Sequence, residues 1–310
     1  MATSRRHAYC SQATILCHFV LLWLVCGLGW SFAVPRNFAS SLQNALDTLG
    51  KKGESSESGR GLREEEGGPA LSVGVAAAQY EVLKVYDHDA SAFTQGLGWY
   101  QGKLYESTGM QGQSEVRIID LETGEVLKRQ QLPSYVFGEG MVIHEGIVHQ
   151  ITWHHKQGYA WNATTLEPTH SFQFETTNGE GWGITSDGTH LIASDGSSNL
   201  HFWDPVTYKT TRKVPVTLRG QPVARLNELE YVKGRVLANV WFSDEILAID
   251  PLSGRVVEVL DFAALYPRAQ RAHELTSHEA VLNGIAYDAQ EDVLYLTGKL
   301  WPRLYKVRLL

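Results

Sequence analysis

The sequence predicts an all-β protein, a five-bladed β-propeller whose ring is closed by an N-terminal strand. Two repeated patterns after residue 79 lead to this prediction. In the first, a polar amide or carboxyl residue stands beside a small or apolar run, and a β-rich run follows after a short turn. In the second, an Asx residue is followed within a few positions by Thr, Ser or Gly. Four short strands in every period of roughly 40–50 residues are typical of a propeller blade.

The first pattern occurs five times and predicts the two inner strands of each blade. Its openings are 93–97 (FTQGL), 137–141 (FGEGM), 178–182 (NGEGW), 226–230 (LNELE) and 282–286 (LNGIA). The β-rich runs that follow are 103–107, 147–151, 190–194, 235–239 and 293–297. Each opening and its β-rich run predict one hairpin, so the chain contains the same hairpin five times.

The second pattern occurs four times, at Asp120, Asn162, Asp204 and Asp250, which are 42, 42 and 46 residues apart. An Asx side chain can accept hydrogen bonds from the backbone ahead of it, so these residues are expected to form hairpin turns between the outer strands. Asn162 also begins the sequon Asn-Ala-Thr. A hairpin tip in a secretory protein is a suitable glycosylation site, and we expect a glycan on Asn162.

The fifth blade has no Asx turn and therefore lacks an outer strand. Its predicted strands are 282–288, 293–299 and 303–309, after which the sequence ends. We expect the run 80–88 (YEVLKVYDH) to supply the outermost strand, which closes the ring and removes an exposed sheet edge.

The first 79 residues are predicted to lie outside the propeller. Residues 1–33 combine an arginine pair with the apolar run 15–32, as in a signal peptide, and an uncleaved signal anchor is the alternative. Both interpretations place the folded part in the secretory pathway, in the lumen of the endoplasmic reticulum or Golgi or outside the cell. Residues 34–79 are predicted to be a flexible tether, because much of this segment is too polar to offset its ordering entropy. The catalytic domain then covers 80–310.

Composition limits the partners and sites of the folded part. A net charge of −7, without a basic block beyond the first residues, argues against nucleic acid as a partner. Contact with a membrane is expected only through the N-terminal segment, if it stays uncleaved. Cys10, Cys17 and Cys26 all lie in or beside the apolar run. The propeller sequence therefore offers no disulfide, no cysteine zinc site and no thiol nucleophile.

The predicted blade geometry brings the polar openings together. In a four-stranded antiparallel blade, the start of the innermost strand and the end of the second strand lie on the same face. The residues expected around the mouth of the central channel are Gln95, Glu139, Trp182, Asn227 and Asn283, with Trp153, Trp241 and Lys299 above it. Amide, carboxylate, ammonium and indole groups in one place have the composition of a small-molecule site.

These residues carry a resemblance. The motifs are 93–96 (FTQG), 105–109 (YESTG), 137–140 (FGEG), 152–153 (TW), 226–230 (LNELE), 238–241 (ANVW), 282–286 (LNGIA) and 297–302 (TGKLWP). In this order, over about 80–310, they resemble the plant and bacterial type of glutaminyl-peptide cyclotransferase. The resemblance implies a five-bladed propeller that converts the N-terminal glutamine of peptides and proteins to pyroglutamate and releases ammonia. It also implies independence of the catalytic zinc of the unrelated animal enzyme.

The chemistry of cyclisation suggests a role for each residue at the mouth. An aromatic pocket can hold the glutamine side chain folded back on its own amine. The expected walls are Phe93, Phe137, Trp153, Trp182 and Trp241. Glu139 is the expected general acid and base, the task that the family gives to the matching glutamate. Asn227 and Lys299 are candidate donors to the developing oxyanion, and Gln95 is expected to hold the amine or amide.

Two other functional classes are compatible with a propeller. One is a non-catalytic propeller that binds partners through its faces, which a mouth without reactive groups would favour. The other is a calcium-dependent, lactonase-like hydrolase, which needs several convergent acidic ligands. The corresponding positions here are mixed amides, with only Glu139, Glu180 and Glu228 acidic. No metal is expected in the chemistry, and a structural calcium ion held by channel carbonyls is compatible with the sequence.

Overall fold

The structure, a computed structural model, describes residues 79–310. The predicted signal segment 1–33 and the tether up to residue 78 lie outside the described residues. Within the described part, the chain forms 22 strands and one short helix, α1 (Arg268–Glu274). The all-β prediction is confirmed.

The strands form five four-stranded blades and one small hairpin. Blade 1 contains β2 (Thr94–Tyr100), β3 (Lys103–Thr108), β4 (Glu115–Ile119) and β5 (Val126–Gln131). Blade 2 contains β6 (Gly138–His144), β7 (Ile147–Thr152), β8 (Gln157–Asn162) and β9 (Pro168–Gln173). Blade 3 contains β10 (Ile184–Ser186), β11 (Leu191–Ala193), β12 (Asn199–Trp203) and β13 (Thr210–Pro215). Blade 4 contains β16 (Leu226–Val232), β17 (Arg235–Val240), β18 (Glu245–Ile249) and β19 (Val256–Asp261). Blade 5 contains β20 (Leu282–Asp288), β21 (Val293–Gly298), β22 (Arg303–Leu309) and β1 (Tyr80–Asp87). The hairpin of β14 (Thr217–Leu218) and β15 (Gln221–Pro222) lies between blades 3 and 4 in the sequence.

Ring closure occurs as the sequence predicts. The strand order in blade 5 is β1-β22-β21-β20, so the N-terminal strand is the outermost. It pairs antiparallel with β22 from Tyr80↔Leu309 to Asp87↔Arg303. The strand ends one residue earlier than predicted, because His88 leaves the ladder and its Nδ1 donates to the carbonyl oxygen of Trp301 at 2.7 Å. This bond ties the end of β1 to the loop that follows β21.

The four Asx residues form the predicted turns. The carboxylate of Asp120 accepts hydrogen bonds from the backbone N–H groups of Glu122 and Thr123 at 3.0 and 2.9 Å. Asn162, Asp204 and Asp250 accept the same pair of bonds from the residues two and three positions ahead. Each turn joins the third and fourth strands of its blade. Their structural role is confirmed.

The hydrophobic core is divided among the blade interfaces. Five clusters of buried apolar side chains are present in the described part, and each lies between two neighbouring blades. Around the channel, the inner strands approach too closely for side chains at some positions. A Cβ atom on Gly140 would lie 2.8 Å from the Cα of Gly183, and one on Gly183 would lie 2.0 Å from the carbonyl oxygen of Asn227. These glycines therefore let blades 2, 3 and 4 meet at the channel.

The segment between blades 4 and 5 carries α1 and packs beside the loop that follows β17. Asp244 of that loop lies 2.7 Å from Arg268 and 2.6 Å from Arg271 of the helix. Arg271 in turn lies over the ring of the buried Trp301, 5.2 Å from its centroid.

In the region that the structure covers, no helix is long and apolar enough to cross a membrane.

Ring closure leads to a deletion test. Removing residues 1–78 should leave the melting temperature and the oligomeric state of the propeller unchanged, because that deletion spares β1. Removing residues 1–87 deletes β1 and exposes the edge of β22. It also removes Tyr86, a core residue that is 7% exposed, and so uncovers the side chains packed around it. We expect this second variant to aggregate or to melt at a much lower temperature. Circular dichroism melting and size-exclusion chromatography measure both effects. A monomeric 88–310 fragment with an unchanged melting temperature would contradict the role assigned to β1.

Candidate active site

The polar residues at the mouth lie on irregular starts of the inner strands. In four blades the inner hairpin shifts register just after it begins: between Thr94 and Gly96, Gly138 and Met141, Leu226 and Leu229, and Leu282 and Ile285. The residues inside these irregularities include Gln95, Glu139, Asn227 and Asn283. A bulge leaves residues unpaired in the ladder and re-aims a side chain, a device common beside active sites. Because of the bulges, the side chains of these four polar residues do not follow the regular alternation between the two faces of their strands.

Glu139 is buried at the centre of this arrangement. Its side chain accepts a hydrogen bond from Nε2 of Gln95 at 3.1 Å. The Oε1 of Gln95 lies 3.4 Å from Nδ2 of Asn283, which also donates to the carbonyl oxygen of Thr94 at 3.0 Å. The backbone oxygen of Glu139 accepts a hydrogen bond from the hydroxyl of Ser107. Gln95 thus contacts the carboxyl group of Glu139, and the substrate contact that the sequence suggests for Gln95 stays a prediction.

Burial changes the acid–base properties of the site. Burial raises the pKa of Glu139 well above its ordinary value of 4.5, the positive charge of Lys299 opposes this shift, and the negative charge of Glu180 adds to it. Burial also lowers the pKa of Lys299, although its attraction to Glu139 and Glu279 partly restores it. A carboxyl group with a raised pKa can both accept and return a proton near neutral pH.

Aromatic side chains form a wall around the mouth. Phe93 meets Phe137 edge to face with 6.0 Å between ring centroids, and Phe137 meets Trp153 in the same way at 5.7 Å. On the opposite blades, Trp182 meets Trp241 edge to face at 5.5 Å. The ammonium group of Lys299, on blade 5, lies 4.9 Å from the ring centroid of Phe93. The five predicted wall residues therefore form two contacting groups, Phe93–Phe137–Trp153 and Trp182–Trp241, and Lys299 lies beside Phe93 of the first group.

Glu180 joins the two halves of this wall. Its Oε2 accepts a hydrogen bond from Nε1 of Trp153 at 2.9 Å and another from Nε1 of Trp182 at 2.8 Å. In the sequence this residue is one of two glutamates in similar G-E-G contexts, the other being Glu139. Residue type and spacing do not predict this role for Glu180, because the two indoles that its carboxylate binds come from different blades and form no local sequence pattern with it.

Several buried polar atoms at the mouth lack a partner. Within the described residues these include Oδ1 of Asn227, Oδ1 of Asn283 and Nε1 of Trp241. Leaving such an atom unpaired costs about 1–3 kcal/mol, so native proteins rarely retain many of them. The mouth thus has two unpaired acceptor oxygens and one unpaired N–H donor. These groups suit a ligand that carries amine or amide hydrogens and a carbonyl oxygen.

A buried charge network supports the mouth from blade 1. The carboxylate of Glu106 lies 2.7 Å from Nη2 of Arg117 and accepts hydrogen bonds from Nε of Arg117 at 2.8 Å and from the hydroxyl of Thr94 at 2.6 Å. His88 Nε2 lies 3.1 Å from the same carboxylate, while its Nδ1 faces the oxygen of Trp301. Two acceptors facing both ring nitrogens favour the charged imidazolium. The network links β1 to the residue before Gln95.

The charges in this network shift its pKa values. Burial by itself would raise the pKa of Glu106, but His88 and Arg117 outweigh burial and lower it to about 2. Burial opposes the charged form of His88 too, and the carboxylate of Glu106 outweighs burial and raises the pKa of His88. One feature of the sequence indicates this network. Glu106 is a charged residue inside the otherwise β-rich run 103–107, and such a residue needs a partner when buried.

Glu228 has a different environment from Glu139. Its two carboxylate oxygens accept the backbone N–H groups of Leu97 at 3.2 Å and Ile285 at 2.9 Å, so it ties blade 4 to blades 1 and 5 across the channel. Burial raises its pKa well above the ordinary value, an effect to which Glu230 adds. Glu228 is therefore committed to the backbone of the inner strands. Across residues 79–310, no three His, Cys, Asp or Glu side chains gather in a way that could hold a metal ion.

Comparison with known proteins agrees with this geometry. The family model for glutamine cyclotransferase matches residues 61–309 of the chain. The chain belongs to the glutamine cyclotransferase family. It is 38% identical over 249 residues to a glutaminyl-peptide cyclotransferase of Arabidopsis thaliana, a match that covers 79% of this chain and 76% of that protein.

A solved structure supports the same assignment. The crystal structure of Myxococcus xanthus glutaminyl cyclase matches with a TM-score of 0.70 and 37% identity, over 75% of this chain and 97% of that one. As a member of the glutamine cyclotransferase family, the chain is an enzyme of the acyltransferase class with glutaminyl cyclase activity. The predicted five-bladed fold and the family resemblance are confirmed.

The Glu106 network generates a stability prediction. In Glu106→Gln, the guanidinium of Arg117 and the imidazolium of His88 lose their buried counter-charge, and we expect the free energy of unfolding at pH 7 to fall by about 3–5 kcal/mol. Because the folded-state pKa of Glu106 is about 2, its stabilisation is complete above pH 4.5 and is lost as the pH falls towards 2. The difference between wild type and variant should therefore shrink with acidification. Urea unfolding at several pH values measures it.

The matched control is Glu122→Gln, which removes one partner of the exposed Lys84–Glu122 pair. That substitution should leave the urea midpoint unchanged, because exposed ion pairs contribute little. An equal loss of stability in both variants, or a difference for Glu106→Gln that does not depend on pH, would contradict the role of this network.

Proposed function

We propose that the chain cyclises the N-terminal glutamine of peptides and proteins to pyroglutamate with release of ammonia, using Glu139 as general acid and base and no catalytic zinc. The observation that carries this proposal is the buried carboxyl group of Glu139, oriented by Gln95 and set within an aromatic wall. Family membership supports the reaction, and the environment of Glu139 supports its role in it.

The aromatic wall supplies the first requirement of cyclisation, which is a folded substrate. The α-amine of glutamine must reach its own side-chain carbonyl carbon, and an extended side chain cannot do so. We infer that the two aromatic groups, Phe93–Phe137–Trp153 and Trp182–Trp241, enclose the substrate and select its folded conformer. Holding the reacting atoms together in this way replaces much of the entropic cost of ring closure.

Proton transfer is the second requirement. The amine nitrogen forms a bond to the amide carbon, and Glu139 takes the proton that the amine loses. The carbon–nitrogen bond of the side-chain amide then breaks, and Glu139 returns that proton to the departing nitrogen, which leaves as ammonia. The raised pKa of Glu139 suits both transfers, because burial makes its protonated form easier to reach than that of an exposed glutamate.

The developing oxyanion is the third requirement. Lys299 is buried and carries its charge towards Glu139 and Phe93, so it can stabilise negative charge on the former carbonyl oxygen. The amide of Asn227 offers one donor group to the same oxygen, and its unpaired Oδ1 can accept a hydrogen from the substrate amine. The unpaired N–H of Trp241 is a further donor at this mouth.

We propose independence of zinc because Glu139 and Lys299 can supply the acid–base chemistry that the reaction needs. A structural calcium ion in the channel stays a prediction, and we expect chelators to affect activity only by loosening the fold. Mixed amides at the bulges favour cyclisation over a calcium-dependent hydrolase, which needs convergent acidic ligands.

We also propose that the enzyme acts in the secretory pathway, with residues 1–33 as its signal peptide or signal anchor. Asn162 lies at the end of β8, where its Oδ1 accepts the backbone N–H groups of Thr164 and Thr165 in a half-exposed turn. A sequon on such a turn is a suitable acceptor for a glycan.

Substitution of Glu139 tests the chemical proposal. Glu139→Gln keeps the size of the side chain and its acceptor for Gln95 but removes the titratable group. We expect kcat for pyroglutamate formation from a glutamine-initiated peptide to fall by about 10³–10⁴, the upper range for loss of general acid–base catalysis. The melting temperature should stay within a few degrees of wild type. Ammonia release and mass spectrometry of the peptide measure the reaction.

The matched control is Glu145→Gln, which removes an exposed carboxylate from the turn at the other end of β6. Its kcat should equal that of wild type. Near-normal ammonia release by Glu139→Gln would end the assignment of Glu139, whereas failure of the wild type to cyclise any glutamine-initiated peptide would contradict the function itself.

Expression in secretory cells tests the location. The full chain should carry one glycan, visible as a single mobility shift after glycosidase treatment and absent in Asn162→Gln. A full-length, unglycosylated chain recovered from the cytosol would contradict this proposal.

A further inference from the structure

We propose that Glu180 is a positioning residue that holds the two sides of the aromatic wall together by binding both Trp153 and Trp182 through one carboxylate oxygen. The inference rests on the proposed cyclisation of N-terminal glutamine and deepens it. In this proposal Glu180 fixes the shape of the pocket in which the substrate folds, whereas Glu139 carries out the proton transfers.

The hydrogen bonds are direct. The indole N–H groups of Trp153 and Trp182 reach Oε2 of Glu180 at 2.9 and 2.8 Å. Hydrogen bonds to an ionised acceptor are stronger than those between neutral groups, and a carboxylate oxygen has enough lone pairs for both donors. The second oxygen, Oε1, lies 3.6 Å from Nδ1 of His154, whose ring stacks on Trp153 with centroids 3.7 Å apart.

The two indoles come from different blades, so this carboxylate is a link across a blade interface. Trp153 follows the second strand of blade 2, and Trp182 precedes the first strand of blade 3. Beyond Trp153 the wall continues to Phe137 and Phe93, and beyond Trp182 it continues to Trp241. The backbone also joins the two blades here, where the N–H of Gly140 donates to the carbonyl oxygen of Trp182 at 2.8 Å. The carboxylate of Glu180 adds the side-chain link between the two indole rings.

The backbone around Glu180 is fixed on both sides. Its carbonyl oxygen accepts the hydroxyl of Thr176 at 2.7 Å, and the N–H of Gly181 donates to the carbonyl oxygen of Trp153 at 3.0 Å. A side chain on a fixed backbone holds its partners with little further loss of conformational entropy. Glu180 can therefore keep the indoles in place before the substrate arrives.

Glu180 also acts on the acid–base group through its charge. Its negative charge raises the pKa of Glu139, whereas the charge of Lys299 lowers it. The other ionisable group that faces Glu180 is His154. Removing the charge of Glu180 should thus lower the pKa of Glu139 and move the acid limb of the pH profile of kcat/KM to lower pH, a shift that pocket shape alone does not produce.

Two substitutions at Glu180 distinguish the effect of pocket shape from the effect of the carboxylate charge. Glu180→Gln keeps a carbonyl oxygen for both indoles and removes the charge, whereas Glu180→Leu removes the acceptor as well. For a short glutamine-initiated peptide, we expect Glu180→Leu to raise KM about tenfold, the equivalent of two ordinary hydrogen bonds, with a much smaller change in kcat. Glu180→Gln should restore KM to near the wild-type value. Both variants should show the same shift of the acid limb.

The bridge itself can be observed without any turnover. In nitrogen–proton NMR spectra, the indole signals of Trp153 and Trp182 are identified by their loss in Trp153→Phe and Trp182→Phe. Their hydrogen exchange with solvent should be slow in the wild type and in Glu180→Gln and at least about tenfold faster in Glu180→Leu. This readout remains valid even if the proposed reaction fails, so the two failures can be distinguished.

The matched control is Glu175→Gln, which removes an exposed carboxylate from the same connection between blades 2 and 3. It should leave KM, the pH profile and the indole exchange rates unchanged. Unaltered KM and exchange rates in Glu180→Leu would overturn the proposal. It would also be overturned if Glu180→Gln raised KM as much as Glu180→Leu, because the charge and not the bridge would then hold the substrate.

Discussion

Closing five blades into a ring forces the starts of the inner strands into one confined space, and the burial of a carboxyl group there is the constraint on which the site depends. Removing water from around Glu139 disfavours its ionised form, and the neighbouring charges then decide how far its pKa rises. Lys299 and Glu180 act in opposite directions on the same group. In the proposed mechanism, the chemistry therefore depends on a balance of charges contributed by blades 2, 3 and 5.

A mouth with this composition is costly to keep, and the rest of the ring supplies the stability. Unpaired buried atoms such as Oδ1 of Asn227 and Nε1 of Trp241 destabilise the folded state and are rare in a purely structural core. Five separate apolar clusters between the blades, the β1–β22 ladder and the Glu106 network hold the ring closed around them. Stability and function are thus divided between different layers of the same blades, with the reactive groups nearest the channel.

Much of this fold could be predicted from the sequence, because strands and turns have local signals. The hairpin openings, the Asx turns and the supply of the outer strand by 80–88 all follow from patterns a few residues long. The contacts of the site do not. The bulges that re-aim Glu139 and Asn227 depend on the pairing register. The binding of two indoles by Glu180 depends on how two blades meet. The sequence predicts Gln95 at the mouth, but its contact with Glu139 depends on how blades 1 and 2 meet and has no signal in residue spacing.

The most direct test of this account is the protonation state of Glu139 itself. Infrared difference spectra of wild type minus Glu139→Gln isolate this carboxyl group from the other buried acids of the channel. At about pH 6, well above the ordinary pKa of a glutamate, the spectrum should show the carbonyl stretch of a protonated carboxyl group, which should titrate away at higher pH. A spectrum with only an ionised carboxylate at that pH would contradict the claim that burial prepares Glu139 to carry a proton.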